Sequence, residues 1–301
     1  MSNESDLIIE NIGDYISFLR NLEENTCIKG MSENLMFRGQ SNCTWPLLPK
    51  YFRRNTDGTR IYSSGIEEIM VSFQREAFPY IMKLNPKAIN DKSIENLMSS
   101  NHFEHEDLQL MQIAQHYGVP TKLLDFTRNP LVALYFACAE ESNNDGCVWL
   151  VNTISYSNLY TNCLMNSITI DPTFNKFKKF PRICEQNLVD NRMANQESLF
   201  FYIPLETPID LLMPIDLHMS TLNLISKFNK RTEEVISKTA TSITTHVTRE
   251  DMKELIGKII IPKKQTSVIR KQLNLLGINE KLIYPGLDGI GRYIDVVYQN
   301  R

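Results

Sequence analysis

The chain has 301 residues, of which 42% are hydrophobic, 22% charged and 9% aromatic, fractions that exclude a disordered or fibrous polypeptide. Its 32 basic and 35 acidic residues leave a net charge of -3, so no global basic field recruits nucleic acid, while a local basic patch stays open. The length fits one large or two small domains, either of which can bury a substantial core without staples.

Six cysteines, at 27, 43, 138, 147, 163 and 184, form no CxxC pair and have no companion histidine at metal-ligand spacing, so no metal is expected. They read as reduced thiols of a cytoplasmic protein. The N-terminus, MSNESDLIIE, lacks a basic n-region and an apolar h-region, and so does not read as a signal peptide. The longest apolar run, LVALYFACA, has nine residues, far too few to cross a bilayer. No membrane partner is expected.

Along the chain, Leu7, Ile8, Ile12, Ile16, Leu19 and Leu22 are spaced for an amphipathic helix over 7–22, interrupted or delimited near Gly13. Leu35–Phe37 reads as a strand running into Arg38-Gly39. Residues 66–82 look helical, with Ile66, Ile69, Met70, Phe73 and Ala77 on one face before Pro79 breaks the pattern. Leu108–Tyr117 is a further helix, with Gly118 as a left-handed stop and Pro120 beyond it. Asn129-Pro130 is the clearest start signal, a capping side chain followed by proline at the first helical position. The helix that follows, to about Glu141, is apolar on every side from Leu131 to Ala139 and belongs in the middle of a fold. There Cys138 reads as a small buried hydrophobe.

After the turn Asn144-Asp145-Gly146, Cys147–Val151 reads as a buried strand. Residues 152–190 are polar and irregular and are expected to be long loops. Leu199–Ile203 and Lys258–Ile261 read as strands ended by Pro204 and Pro262. Thr266 or Ser267 is expected to cap a helix that buries Val268, Ile269, Leu273 and Leu276 and stops at Gly277. Strands and helices mix without regular alternation, which predicts an α+β fold. No linker divides the chain, so residues 1–301 are taken as one domain.

Four segments resemble the FRG domain, a bacterial family named for its Phe-Arg-Gly motif. They are Phe37-Arg38-Gly39-Gln40 with Trp45 and Leu48-Pro49; the run AQHYGVPTKLLDFT from Ala114 to Thr127, continued by Asn129-Pro130 and Ala133–Ala137; Arg192-Met193-Ala194-Asn195-Gln196 before Leu199-Phe200; and Ile261-Pro262 to Ile278 with Tyr284–Gly289. The resemblance spans about residues 10–295. Lys122, Phe126 and Ser198 depart from it, standing where Arg, Trp and Gly are expected. The order of motifs is similar to that of ADP-ribosyltransferases, a likeness at the level of fold. It implies a mixed or antiparallel sheet with surrounding helices and NAD as a substrate. The acceptor would be a protein or a nucleic acid, the role that of a toxin or phage-defence effector, and a cognate inhibitor or activating ligand could control it.

Under that resemblance Arg38, Thr127 and Gln196 are the catalytic candidates, and Arg38, Gln40, His116, Thr127 and Tyr135 the NAD contacts. Each has a plainer alternative. Arg38 can fork onto a phosphate or ribose, or lock its strand to Asp125. His116 can move a proton near neutral pH or be a core residue at a helix end. Thr127 lines the nicotinamide or caps a turn, and Tyr135 stacks on a ligand or packs in the core. The resemblance selects Gln196, whereas chemistry alone favours the carboxylate of Glu197, because breaking the nicotinamide–ribose bond builds positive charge on the sugar. On a strand, neighbours face opposite sides, so only one of the two would enter a cleft. Basic and aromatic side chains interleave at Phe174, Lys176, Phe177, Lys178, Lys179, Phe180 and Arg182, a weaker sign of nucleic-acid contact. A non-catalytic module binding a nucleotide or a protein is the alternative function.

Overall fold

A computed structural model describes residues 9–24, 34–84, 108–139, 143–158, 161, 181–184, 195–204 and 256–299. The Phe174–Phe180 stretch and Arg192–Ala194 lie outside them. By contacts the chain forms two compact units, one of residues 1–47, 125–185 and 189–301, the other of 48–124 with 186–188.

The larger unit is built on an antiparallel sheet, and the fold is α+β as the sequence predicts. Its strands are β1 (Leu35–Gln40), β2 (Leu123–Thr127), β3 (Gly146–Asn152), β4 (Arg182–Cys184), β5 (Ser198–Tyr202) and β6 (Ile256–Ile261), in the spatial order β4-β5-β2-β1-β3-β6. β1 pairs antiparallel with β2 and β3, β3 with β6, and β4 with β5. Helix α1 is Ile12–Glu24. In the smaller unit lie α2 (Ile66–Leu84) and α3 (Leu108–His116). The larger unit adds α4 (Pro130–Ala137), α5 (Lys263–Leu275), α6 (Glu280–Ile283) and α7 (Leu287–Gln299).

Alternation along the strands divides the sheet into two faces. Leu35, Phe37, Val148, Leu150, Ile259 and Ile261 join Tyr15, Phe18 and Leu22 of α1, Leu134 and Ala137 of α4, and Ile269 and Leu273 of α5 in one buried cluster. Fully burying each of the larger side chains contributes roughly 1.5–3 kcal/mol. The other face carries Met36, Gln40, Cys147, Trp149, Val151 and Lys258, all buried. Its polar members are satisfied within the fold. Gln40 Oε1 accepts from Trp149 Nε1 at 2.7 Å, and Lys258 lies 5.0 Å from the Trp149 ring while donating to the Cys43 carbonyl.

Helix α4 sits on β1 and β3 because glycine lets it. A Cβ on Gly39 would stand 1.9 Å from the Ala133 carbonyl oxygen and 2.6 Å from the Ala137 nitrogen, and one on Gly146 2.0 Å from the Ala137 oxygen. Two glycines on neighbouring strands thus meet two alanines one helical turn apart. Asn129 accepts from the Leu131 and Val132 amides and Pro130 is the first helical residue, the start expected of this segment. The helix ends at Ala137 rather than near Glu141.

Several expectations are corrected. Helix α1 starts at Ile12 because Asn11 and Asp14 cap it reciprocally, Asn11 Oδ1 accepting from the Asp14 amide and Asp14 Oδ2 from the Asn11 amide. Helix α2 continues through Pro79 to Leu84; a proline removes one donor and bends a helix without having to end it. Residues 152–190 are not wholly loop, since 153–158 are helical and 182–184 form β4. Helix α5 begins at Lys263, three residues before Thr266. Its first amide donates to Asp145 Oδ1 at 2.8 Å, so the capping carboxylate comes from the turn before β3. Gly118, at φ +83°, ends α3 as expected.

Burial pushes the Cys138 and Cys147 thiols up to about 12 and raises the Tyr15 hydroxyl as well. A thiol that is harder to ionise folded than unfolded favours the folded state below its unfolded value, and that contribution fades as pH rises towards the folded one. We therefore expect the midpoint of urea unfolding to fall steadily from about pH 9 upward, with Cys138→Ala and Cys147→Ala each flattening the decline. A midpoint level to pH 11 would contradict the burial of these thiols.

Candidate functional site

Two of the four motif segments meet at one turn, which α6 supports from the other side. Asn195, Gln196 and Glu197 immediately precede β5, so the facing-sides rule for neighbouring strand residues does not govern Gln196 and Glu197. From the second segment, Thr127 Oγ1 donates to the Gln196 carbonyl oxygen at 2.5 Å and the Arg128 amide to the Glu197 carbonyl oxygen at 3.1 Å. Towards α6, Asn195 Nδ2 donates to the Leu282 carbonyl oxygen and Gln196 Nε2 to that of Ile283, at 3.2 and 2.8 Å.

This clamp holds Glu197 with φ +47°, the one non-glycine residue in the left-handed region among the described residues. Such a backbone costs a side-chain-bearing residue on the order of 1–2 kcal/mol and persists only where its surroundings fix it. The Glu197 carboxylate is exposed and accepts from Asn129 Nδ2 at 3.1 Å, beside the N-terminal end of α4, where the helix dipole favours negative charge. The Gln196 amide, by contrast, is engaged with Ile283. The group presented outward is the carboxylate.

The other candidates distribute as follows. Thr127 is buried, and besides its bond to Gln196 it accepts from the Asn129 amide at 2.9 Å, which is the turn-capping role. Tyr135 is buried in the core on α4. Its hydroxyl donates to Glu280 Oε1 at 3.1 Å and its ring lies 4.1 Å from the Arg270 guanidinium. Arg270 pairs with Glu280 at 2.5 Å, and burial raises the Tyr135 hydroxyl above its ordinary value. Gln40 is buried against Trp149.

Arg38 Nη1 donates to the Asp125 carbonyl oxygen at 2.7 Å, tying β1 to residue 125 through the backbone. Phe37 pairs across with Thr127, so Thr127 shares the face of Phe37 while Arg38, the next residue, projects from the opposite face. The structure thus brings Thr127 and Gln196 together and sets Arg38 apart from them. His116 belongs to the smaller unit, half-buried at the end of α3, its ring edge-on to Tyr117 with centroids 5.0 Å apart. Arg182 lies over the Tyr202 ring at 4.9 Å.

Sequence reasoning missed the clamp itself, including Asn129 as a partner of Glu197 and the α6 carbonyls as acceptors. The adjacency of Asn129 to the second motif was a usable signal; the α6 contacts, 87 residues away, left none. Among the described residues no group of three or more histidine, cysteine, aspartate or glutamate side chains could hold a metal ion, and no helix is long and apolar enough to cross a membrane.

Comparison with known proteins adds one finding. The sequence model of the FRG domain matches residues 33–146, from just before β1 to the start of β3. That span covers the first two motif segments. No curated protein and no solved structure matches the chain. Residues 33–146 thus carry an FRG domain.

Proposed function

We propose that this FRG protein is an ADP-ribosyltransferase-like enzyme of the cytoplasm that cleaves the nicotinamide–ribose bond of NAD and modifies a macromolecular acceptor, as a toxin or antiviral effector would. The observation that carries this reading is the exposed Glu197 carboxylate, held in a left-handed turn by bonds from residues 127–129 and from α6. When the C1′–N bond breaks, its electron pair leaves with neutral nicotinamide and positive charge develops on the ribose. A fixed carboxylate beside the 2′-hydroxyl stabilises that charge. The acceptor then bonds to C1′ and releases its proton. Gln196 and Thr127 act by fixing the turn, and Arg38, on the opposite face of the sheet, takes no part at the ribose.

A second reading, a non-catalytic module for a nucleotide or a protein, is favoured by one observation. Thr127, Tyr135, Gln40 and the Gln196 amide are all engaged inside the fold, and Arg38 projects from the other face. Calorimetric titration of NAD into the wild type separates the two readings when nicotinamide is assayed in the same samples. The enzyme binds saturably and releases nicotinamide. A module binds without release, and absent binding by folded protein removes NAD from both.

A further inference from the structure

We infer that the hairpin over residues 54–60, in the smaller unit, is a contact site for the phosphate backbone of a nucleic-acid strand. Residues 50–62 read KYFRRNTDGTRIY, with Lys50, Arg53, Arg54 and Arg60 against a single acid, Asp57. In a chain whose acidic residues outnumber its basic ones, this concentration is local.

The geometry makes it more than composition. Arg54 and Arg60 are partners in an isolated antiparallel bridge, so two exposed guanidinium-bearing side chains stand directly opposite one another. Like charges in that position oppose pairing, and an anion between them reverses the sign of the effect. The turn that enforces the pairing is well specified. The Asn55 amide donates to the Thr59 carbonyl oxygen at 2.9 Å, the Gly58 amide to that of Asn55 at 3.0 Å, and Gly58 takes φ +82°.

The one acid is engaged within the hairpin. Asp57 Oδ1 accepts from both the amide and the hydroxyl of Thr59, at 2.8 and 2.6 Å, bonds that hold its carboxyl below the usual range. Among the described residues no ion pair engages Arg53, Arg54 or Arg60. Arg54 Nη1 donates to the Gly58 carbonyl oxygen at 2.8 Å, and Arg53 Nε to that of Leu48 at 3.4 Å, which directs the stems and leaves further N–H donors on each fork.

The shape favours a nucleic acid over a lipid surface. The hairpin tip, Asn55 to Thr59, is polar, whereas a membrane-docking loop presents apolar side chains at its tip. Tyr51 and Tyr62 stack on each other, 6.5 Å between centroids at 11°, and brace the base of the hairpin. Planar arginine forks bind phosphate oxygens bidentately, and a backbone repeats phosphates along its length, so paired arginines can engage neighbouring groups.

The test is fluorescence anisotropy of labelled single-stranded and duplex oligonucleotides across a salt series, with wild type, Arg54→Ala/Arg60→Ala and, as control, Arg20→Ala on α1. Phosphatidylserine vesicles form a separate arm. The expected result is salt-dependent oligonucleotide binding, weakened about tenfold or more in the double variant and unchanged in the control. The slope of log K against log salt should shrink by about 0.7–0.9 for each lost contact. Folded wild type that binds neither oligonucleotide, a double variant with unaltered affinity and slope, or vesicle binding without oligonucleotide binding would each overturn the inference. None of these outcomes depends on NAD chemistry.

Discussion

Gly39→Ala is expected to lower the unfolding free energy by about 3 kcal/mol or more, read as a drop in the urea midpoint at unchanged slope. The new methyl would sit 1.9 Å from the Ala133 carbonyl oxygen, and both colliding partners are backbone, so no rotamer change relieves the overlap. The strand must separate from α4, and with it the contacts of Phe37 and Leu35 in the buried cluster. Domains are stable by only about 5–15 kcal/mol, so the loss removes roughly a fifth to three fifths of the total. Gly58→Ala is the informative contrast, because nothing lies within 4 Å of its added Cβ. Its cost is confined to the left-handed backbone, about 1 kcal/mol. Equal losses at the two positions would contradict the close packing of α4 on β1.

Glu280→Ala is expected to cost about 3–5 kcal/mol. Glu280 and Arg270 are both largely buried, and removing the carboxylate strands the Arg270 charge under the core, where its remaining neighbour is the Tyr135 ring. Tyr135→Phe, which deletes only the hydroxyl bond to Glu280, should cost about 1 kcal/mol. The asymmetry between the two substitutions, measured by denaturant unfolding, is the check. Because α6 supplies the carbonyls that anchor Asn195 and Gln196, Glu280→Ala should also loosen the Glu197 turn before global unfolding. Faster amide exchange at residues 195–198 would report it.

Where structure is decided by nearby residues, the sequence was legible. Asn129-Pro130 marks the start of α4, the apolar run to Ala139 marks its central position, and Gly118 marks the end of α3, because each effect acts within a few residues. Long-range determinants left no local trace. The cap of α5 comes from Asp145, 118 positions away, so the helix begins earlier than Thr266 indicates. Helix α7 has Leu287, Ile290, Ile294 and Tyr298 spaced for one helix face, a pattern that was there to be read, against which Gly289 and Gly291 lower helix propensity; in the structure that face stays exposed.

At the site, the order of Arg38, Thr127 and Gln196 along the chain was readable, but their faces were not. Which face a strand residue occupies depends on cross-strand register, and the pairing of Phe37 with Thr127 separates Arg38 from the turn. Chemistry alone pointed to the Glu197 carboxylate, but the conformation that presents it was hidden for a different reason. Left-handed backbone is ordinarily signalled by glycine or asparagine, and here a glutamate is held in it by tertiary hydrogen bonds.

The central claim, that the Glu197 carboxylate acts on the nicotinamide–ribose bond, is tested most directly by following nicotinamide release from NAD by wild type, Glu197→Gln and Glu197→Asp. Glu197→Gln removes the charge and nearly preserves the shape, so folding should be unchanged. Release by wild type, lost about a hundredfold or more in Glu197→Gln and partly retained in Glu197→Asp, is the predicted result. Equal release by wild type and Glu197→Gln would contradict the role of the carboxylate, and no release by folded wild type that binds NAD would contradict the enzyme itself.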